Sequence, residues 1–144
     1  MIVYFDTSAL VPIVIEEDSS ENCGRLWDLA DRVVSSRLVY AEGRAALAQA
    51  RRIGRLSDKL LREAVRNFED LVDELDAVEV TAELVHRAGA LAEKLGLRGY
   101  DAIHLASAEA VNDRDLVLAT GDRALLQAAR SLGLRVANLD NVEP

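Results

Sequence analysis

Apolar residues recur along this chain in two rhythms. Short runs rich in Val, Ile, Leu and Ala predict strands over Ile2–Phe5, Val33–Val34, Ala77–Val80, Leu116–Ala119 and Arg135–Asn138. Runs this short and this apolar suit strands covered on both faces, as in a parallel sheet. Between them, apolar residues return every three or four positions, the rhythm of amphipathic helices. Ser8 is placed to cap a helix over Ala9–Glu17, with Pro12 tolerated in its first turn. Ser19 and Ser20 open a second helix that turns Leu26, Trp27 and Ala30 inward. Ser36 caps a long helix over Arg37–Ile53, ended by Gly54. Ser57 starts another to Leu75, with Leu60, Leu61, Ala64, Val65, Phe68, Leu71, Val72 and Leu75 recurring at helical spacing. Thr81 caps a helix to Leu95, closed by Gly96. The last two helices run over Asp101–Asn112 and Asp122–Leu132, the latter closed by Gly133.

Strands and helices therefore alternate, which predicts an α/β fold built on a short-stranded parallel sheet. The two consecutive helices between the second and third strands predict a helical arm. No repeat, linker or low-complexity segment interrupts the pattern, so residues 1–144 are expected to form a single domain.

Half of the 144 residues are hydrophobic, enough for a sizeable core and against disorder. Cys23 is the only cysteine, so the chain offers no internal disulfide and no cysteine zinc site. No stretch reaches the ~20 apolar residues of a membrane-spanning helix, and the start lacks the cationic lead of an export signal. A cytoplasmic protein without a membrane partner is expected.

Taken alone, the net charge of −8 argues against a nucleic-acid binder, since phosphate binding favours a basic surface. The charge is uneven, however. Residues 37–66 hold eight basic and three acidic side chains, whereas residues 67–83 hold seven acidic and no basic ones. Arg44, Arg51 and Arg55 fall near one helix face and are candidates to track a phosphate backbone. A solvated face with ion pairs is the plainer reading of the same run.

Four acids stand out. Asp6 and Asp122 follow the ends of apolar strands, the edge where open α/β sheets bind ligands. Asp101 opens a helix after Gly99 and Tyr100, and Glu42 lies inside a helix among Leu38, Val39, Ala45 and Ala46. Each has an ordinary reading: helix caps for the three aspartates, and an ion pair, for example with Arg44, for Glu42. Taken together they suggest convergence, and converging carboxylates either take raised pKa values or require a cation. A hard divalent ion, Mg²⁺ or Mn²⁺, matches such an all-oxygen donor set and serves phosphoryl chemistry. His86 is expected to be structural or on the surface, and His104 packed or hydrogen-bonded. Tyr4, Trp27, Tyr40 and Tyr100 are expected mostly in the core.

At this point the residues resemble a known family. Ile-Val-Tyr-Phe-Asp-Thr-Ser-Ala-Leu at the start, Glu42, Asp-Ala-Ile-His-Leu-Ala from Asp101 and Ala-Thr-Gly-Asp from Ala119 occur in the order and spacing of PIN-domain proteins. They look most like the VapC-type toxins of toxin–antitoxin pairs. The resemblance implies a three-layer α/β/α sandwich and a metal-dependent endoribonuclease. Asp6, Glu42, Asp101 and Asp122 would be its catalytic and Mg²⁺- or Mn²⁺-holding residues, supported by Ser8 and Thr120. It implies hydrolysis of RNA by metal-activated water, leaving 5′-phosphate and 3′-hydroxyl ends. It also implies a VapB-like antitoxin covering the acidic site, often with an inserted arginine, and a homodimer. Some relatives carry a further acid about four residues past the last motif aspartate. Here that region reads Leu125, Leu126 and Gln127, so the second metal position of those relatives lacks its acid.

Three other readings bear on the same residues. A PIN nuclease of RNA processing would share the site. A receiver-like domain wants paired acids after the first strand and a Lys after the last, and this chain has neither. A binding module would use the acids only as caps, and would not bind Mn²⁺.

Overall fold

The computed structural model describes residues 1–140. Five strands form one sheet: β1 (Ile2–Phe5), β2 (Arg32–Ser36), β3 (Asp76–Val78), β4 (Leu116–Thr120) and β5 (Arg135–Asn138). All pairings are parallel, in the order β3-β2-β1-β4-β5. Seven helices are described: α1 (Thr7–Val14), α2 (Ser20–Leu29), α3 (Val39–Arg52), α4 (Asp58–Glu74), α5 (Ala82–Leu95), α6 (Gly99–Val111) and α7 (Arg123–Ser131).

The strand order explains the layers. From β1 the chain steps outward to β2 and β3, then crosses back to β4 and β5. Parallel crossovers are right-handed, so reversing the direction of travel moves the helices to the other face. Helices α1 to α4 accordingly share one core cluster with Val3 and Phe5, through residues such as Leu10, Leu26, Leu47 and Phe68. Helices α5 to α7 share the second with Tyr4, through residues such as Leu91, Leu105 and Leu125. The alternation along β1 divides its side chains between the two cores. The result is a three-layer α/β/α sandwich, with the α3–α4 pair of the predicted arm packed against α1.

Several boundaries differ from expectation. Asp6, not Ser8, caps α1, which begins two residues early; its carboxylate accepts the Ala9 N–H. Pro12 lies inside the helix rather than in its first turn, and the helix ends at Val14, short of Glu17. The missing N–H of Pro12 leaves the Ser8 carbonyl without its helical donor, which favours an early end. Ser36 closes β2 instead of capping α3, because a turn over Arg37 and Leu38 intervenes. Asp101 is the third residue of α6 and not its cap, since that helix starts at Gly99. Strand β3 spans only Asp76–Val78. Gly96 and Gly133 follow their helices at φ 67° and 80°, a left-handed backbone that suits glycine. Among the described residues, no helix is long and apolar enough to cross a membrane.

Candidate active site

Strand order reverses between β1 and β4, and ligands of open α/β sheets bind beyond the carboxyl ends of strands at such a switch point. Asp6 stands there. Its backbone N–H continues the ladder to the Ala119 carbonyl at 3.3 Å. Its side chain is 4% exposed and fully engaged. Oδ1 accepts the Ser8 hydroxyl at 2.7 Å and the Ala9 N–H at 3.2 Å. Oδ2 accepts the Thr120 hydroxyl at 2.7 Å. Burial pushes the Asp6 carboxyl above the usual aspartate range; His104 and these hydrogen bonds offset only part of that.

Ser8 and Thr120 stitch the edge together. Ser8 Oγ also accepts the Gly121 N–H at 2.8 Å, and Thr120 Oγ1 accepts the Asp122 N–H at 3.0 Å. Both supporting residues therefore touch Asp6 and also hold the turn that leads to Asp122. Asp122 caps α7 through Oδ1, which accepts the Leu125 N–H at 2.9 Å. Its Oδ2 accepts Arg98 Nη2 at 3.4 Å. Arg98 Nε donates to Oδ2 of Asp101 at 3.0 Å. One guanidinium thus joins two of the four acids.

Glu42, from the first turn of α3, approaches from the other helical layer. Its Oε1 accepts the Thr7 hydroxyl at 3.0 Å and pairs with His104 Nε2 at 2.6 Å. Half-burial pushes this carboxyl up, but the pairing with His104, then with Thr7, outweighs it and leaves the group below the usual range. The expected ion pair with Arg44 is not formed. Glu42 and Asp101 both line a cleft of about 570 Å³, with Arg98 and Tyr100 on its rim and Ala88 and Ala92 on its apolar wall.

The structure thus brings all four acids to one edge, as three linked groups. Asp6 lies with Ser8 and Thr120, Asp101 and Asp122 share Arg98, and Glu42 holds Thr7 and His104. Among the described residues, no three acidic, His or Cys side chains are placed to share one ion as they stand. The donor chemistry nevertheless suits a hard cation: the candidate ligands are all carboxylate oxygens. Glu42 Oε2 and Asp101 Oδ1 accept no hydrogen bond among the described residues.

Arg98 and Thr7 were not singled out by sequence. Arg98 has a visible signal, a cation three residues before Asp101, a spacing that suits an ion pair across a helix start. Thr7 has none beyond its place beside Asp6. His104 is buried and hydrogen-bonded, at 2% exposure, and His86 is exposed. The three candidate arginines of the basic run are paired with acids. Arg44 meets Glu69 and the Tyr40 hydroxyl, Arg51 meets Asp58, and Arg55 lies beyond α3 and meets Glu17. Tyr100, 65% exposed, and Tyr40, 38% exposed, are not core residues. Tyr100 lies in the first turn of α6, past the sheet edge. Tyr40 stacks one face on Phe68 at 6.3 Å and sends its hydroxyl outward to Glu69, as amphipathic side chains do.

Comparison with known proteins agrees with this fold. The family model of the PIN domain matches residues 3–131. Ribonuclease VapC45 of Mycobacterium tuberculosis is 47% identical over 94% of each chain. The crystal structure of PAE2754 from Pyrobaculum aerophilum superposes with a TM-score of 0.71 at 23% identity, covering 94% of this chain and 83% of that one. A chain of a toxin–antitoxin complex from Klebsiella pneumoniae gives a TM-score of 0.61 at 18% identity, covering 83% of this chain and 86% of that one. The matched stretch spans Asp6, Glu42, Asp101 and Asp122, and the chain belongs to the PIN-domain family, among its VapC members.

Proposed function

We propose that the chain is the toxin of a toxin–antitoxin pair and a divalent-metal-dependent endoribonuclease. The observation that carries this reading is the convergence of Asp6, Glu42, Asp101 and Asp122 at the switch point of the sheet. The identity to a ribonuclease over nearly the whole chain supports the substrate class. Asp6, Asp101 and Asp122, with Glu42, would hold Mg²⁺ or Mn²⁺. When bound, such an ion acidifies a coordinated water and offsets charge developing on the phosphate.

The protein's own groups divide the remaining work. Ser8, Thr120 and the Ala9 N–H hold Asp6 in a single orientation. Thr7 and His104 hold Glu42 by Oε1 and leave Oε2 to orient a water or take its proton. Arg98 must leave its place between Asp101 and Asp122 before both carboxylates can turn to one ion. Arg44, Arg51 and Arg55 are assigned to the RNA backbone. Their present partners are Glu69, Asp58 and Glu17, and surface pairs of this kind are cheap to exchange for phosphates.

The partner proposed is a small antitoxin whose segment covers the acidic edge. Arg98 itself demonstrates that a guanidinium fits between Asp101 and Asp122. A homodimer is proposed on the family resemblance alone. The deciding experiment compares RNA cleavage by wild type, Asp6→Asn and Asp101→Asn, with Mg²⁺ or with chelator. Cleavage is expected only from wild type with metal. Undiminished cleavage by both variants would overturn the site. Absence of a neighbouring antitoxin reading frame would instead point to an RNA-processing nuclease.

A further inference from the structure

One buried chain of hydrogen bonds runs from the core to the site. Tyr4, on β1 and fully buried, places its hydroxyl 2.8 Å from His104 Nδ1. The rings meet edge to face, with centroids 5.9 Å apart. On the other side of the imidazole, Nε2 lies 2.6 Å from Glu42 Oε1. Tyr4 and His104 belong to the core of the α5–α7 layer, whereas α3 packs in the opposite layer. The His104–Glu42 contact therefore bridges the two helical layers around the carboxyl edge of the sheet. His104 also lies three residues after Asp101, on the same face of α6.

The partners determine where the hydrogens go. An ionised Glu42 has none to offer, so Nε2 must be the donor. Burial keeps the Tyr4 phenol protonated. A neutral ring that donates from Nε2 keeps a lone pair on Nδ1, and the Tyr4 hydroxyl 2.8 Å away is the donor placed to meet it.

We infer that His104 is a positioning residue, held by Tyr4 as the Nε2–H tautomer, which fixes Glu42 through Oε1 and keeps Oε2 turned to the metal site. The role in metal binding rests on the reading above; the tautomer does not. Metal ligands are commonly oriented by such outer partners, and losing one typically costs about 10- to 100-fold in metal affinity. A purely structural histidine would lower stability when replaced but would leave the affinity of the folded protein unchanged.

Two measurements test this. The first is a long-range ¹H–¹⁵N correlation spectrum of metal-free protein, which is simple to assign because His86 is the only other histidine. The expected pattern is a protonated Nε2 and an unprotonated Nδ1, weakened but not lost in Tyr4→Phe, because Glu42 still takes the Nε2 hydrogen. A protonated Nδ1, alone or together with Nε2, would overturn the inference whether or not metal binds. The second is Mn²⁺ titration by calorimetry of wild type, His104→Gln and His104→Leu. Gln supplies an amide donor near the Nε2 position and is expected to bind within about threefold of wild type. Leu is expected to bind at least about tenfold more weakly while still folded. Equal affinities in wild type and folded His104→Leu would overturn the positioning role. If wild type itself binds no Mn²⁺, the metal reading fails, and the spectrum alone decides how His104 holds Glu42.

Discussion

Arg98 donates from Nε to Oδ2 of Asp101 at 3.0 Å, and its far nitrogen reaches Asp122, so a cation of the protein's own chain already spans two of the candidate ligands. The Arg98 side chain is 81% exposed, so holding it there gains little. Arg98→Gln is expected to bind Mn²⁺ several-fold more tightly than wild type, because the ion no longer displaces a guanidinium. Its thermal midpoint without metal should change little. Calorimetric titration reads the affinity, and a weaker affinity would show that Arg98 helps to assemble the site.

Asp6 carries the opposite tension. Burial raises its folded-state pKa, so the protonated form suits the fold better than the ionised one. Stability from this group is fully present below its unfolded value of 3.8 and is lost as pH rises through the folded value. Asn keeps the helix cap and removes the buried charge. Metal-free Asp6→Asn is expected to melt above wild type at neutral pH. The gap should close as pH falls toward the unfolded pKa. Thermal scans across pH check both statements, and a variant that melts below wild type at neutral pH would refute them.

Asp122 has two jobs that different substitutions separate. Asn is as good a cap as Asp, whereas Ala costs about 1 kcal/mol at such a position. Asp122→Asn should therefore unfold like wild type, Asp122→Ala should lose about that much, and both should lose cleavage. Denaturant midpoints and an RNA assay run side by side test this. Retained cleavage by the Asn variant would reduce Asp122 to a cap.

Gly43 sets the distance between α3 and α4. A Cβ there would overlap the ring of Phe68, which is wholly buried. Overpacking of this kind costs about 1–3 kcal/mol, more than the ~1 kcal/mol that Ala gains over Gly within a helix. Gly43→Ala is expected to lower the urea midpoint, and Phe68→Leu should cost less in that background than alone. Since Glu42 precedes Gly43, the same variant should also weaken cleavage.

Much of this architecture is legible in the chain itself. Unbroken apolar runs announce strands covered on both sides; Asp6 stands directly after one of them and Asp122 one glycine beyond another. Helix ends at Gly96 and Gly133 follow from the need for a left-handed residue. The caps are less legible, because Asp6 and Ser8 offer competing acceptors two residues apart, and α3 starts after Leu38 with no side-chain cap. Local pattern does not rank such neighbours; the direction in which the strand delivers them does.

What sequence by itself determined is the set of elements and the four acids, since periodicity and strand-end position are local properties. What only tertiary structure decided is the company those acids keep. Glu42 meets His104, which is 62 positions away, and Tyr4 meets the same ring across 100. Thr120 reaches Asp6 across 114. These contacts exist because β4 pairs with β1 rather than with its neighbour in sequence, β3. Sheet order follows from how two helical layers bury their faces together, a sum over the whole core that no single stretch of chain carries.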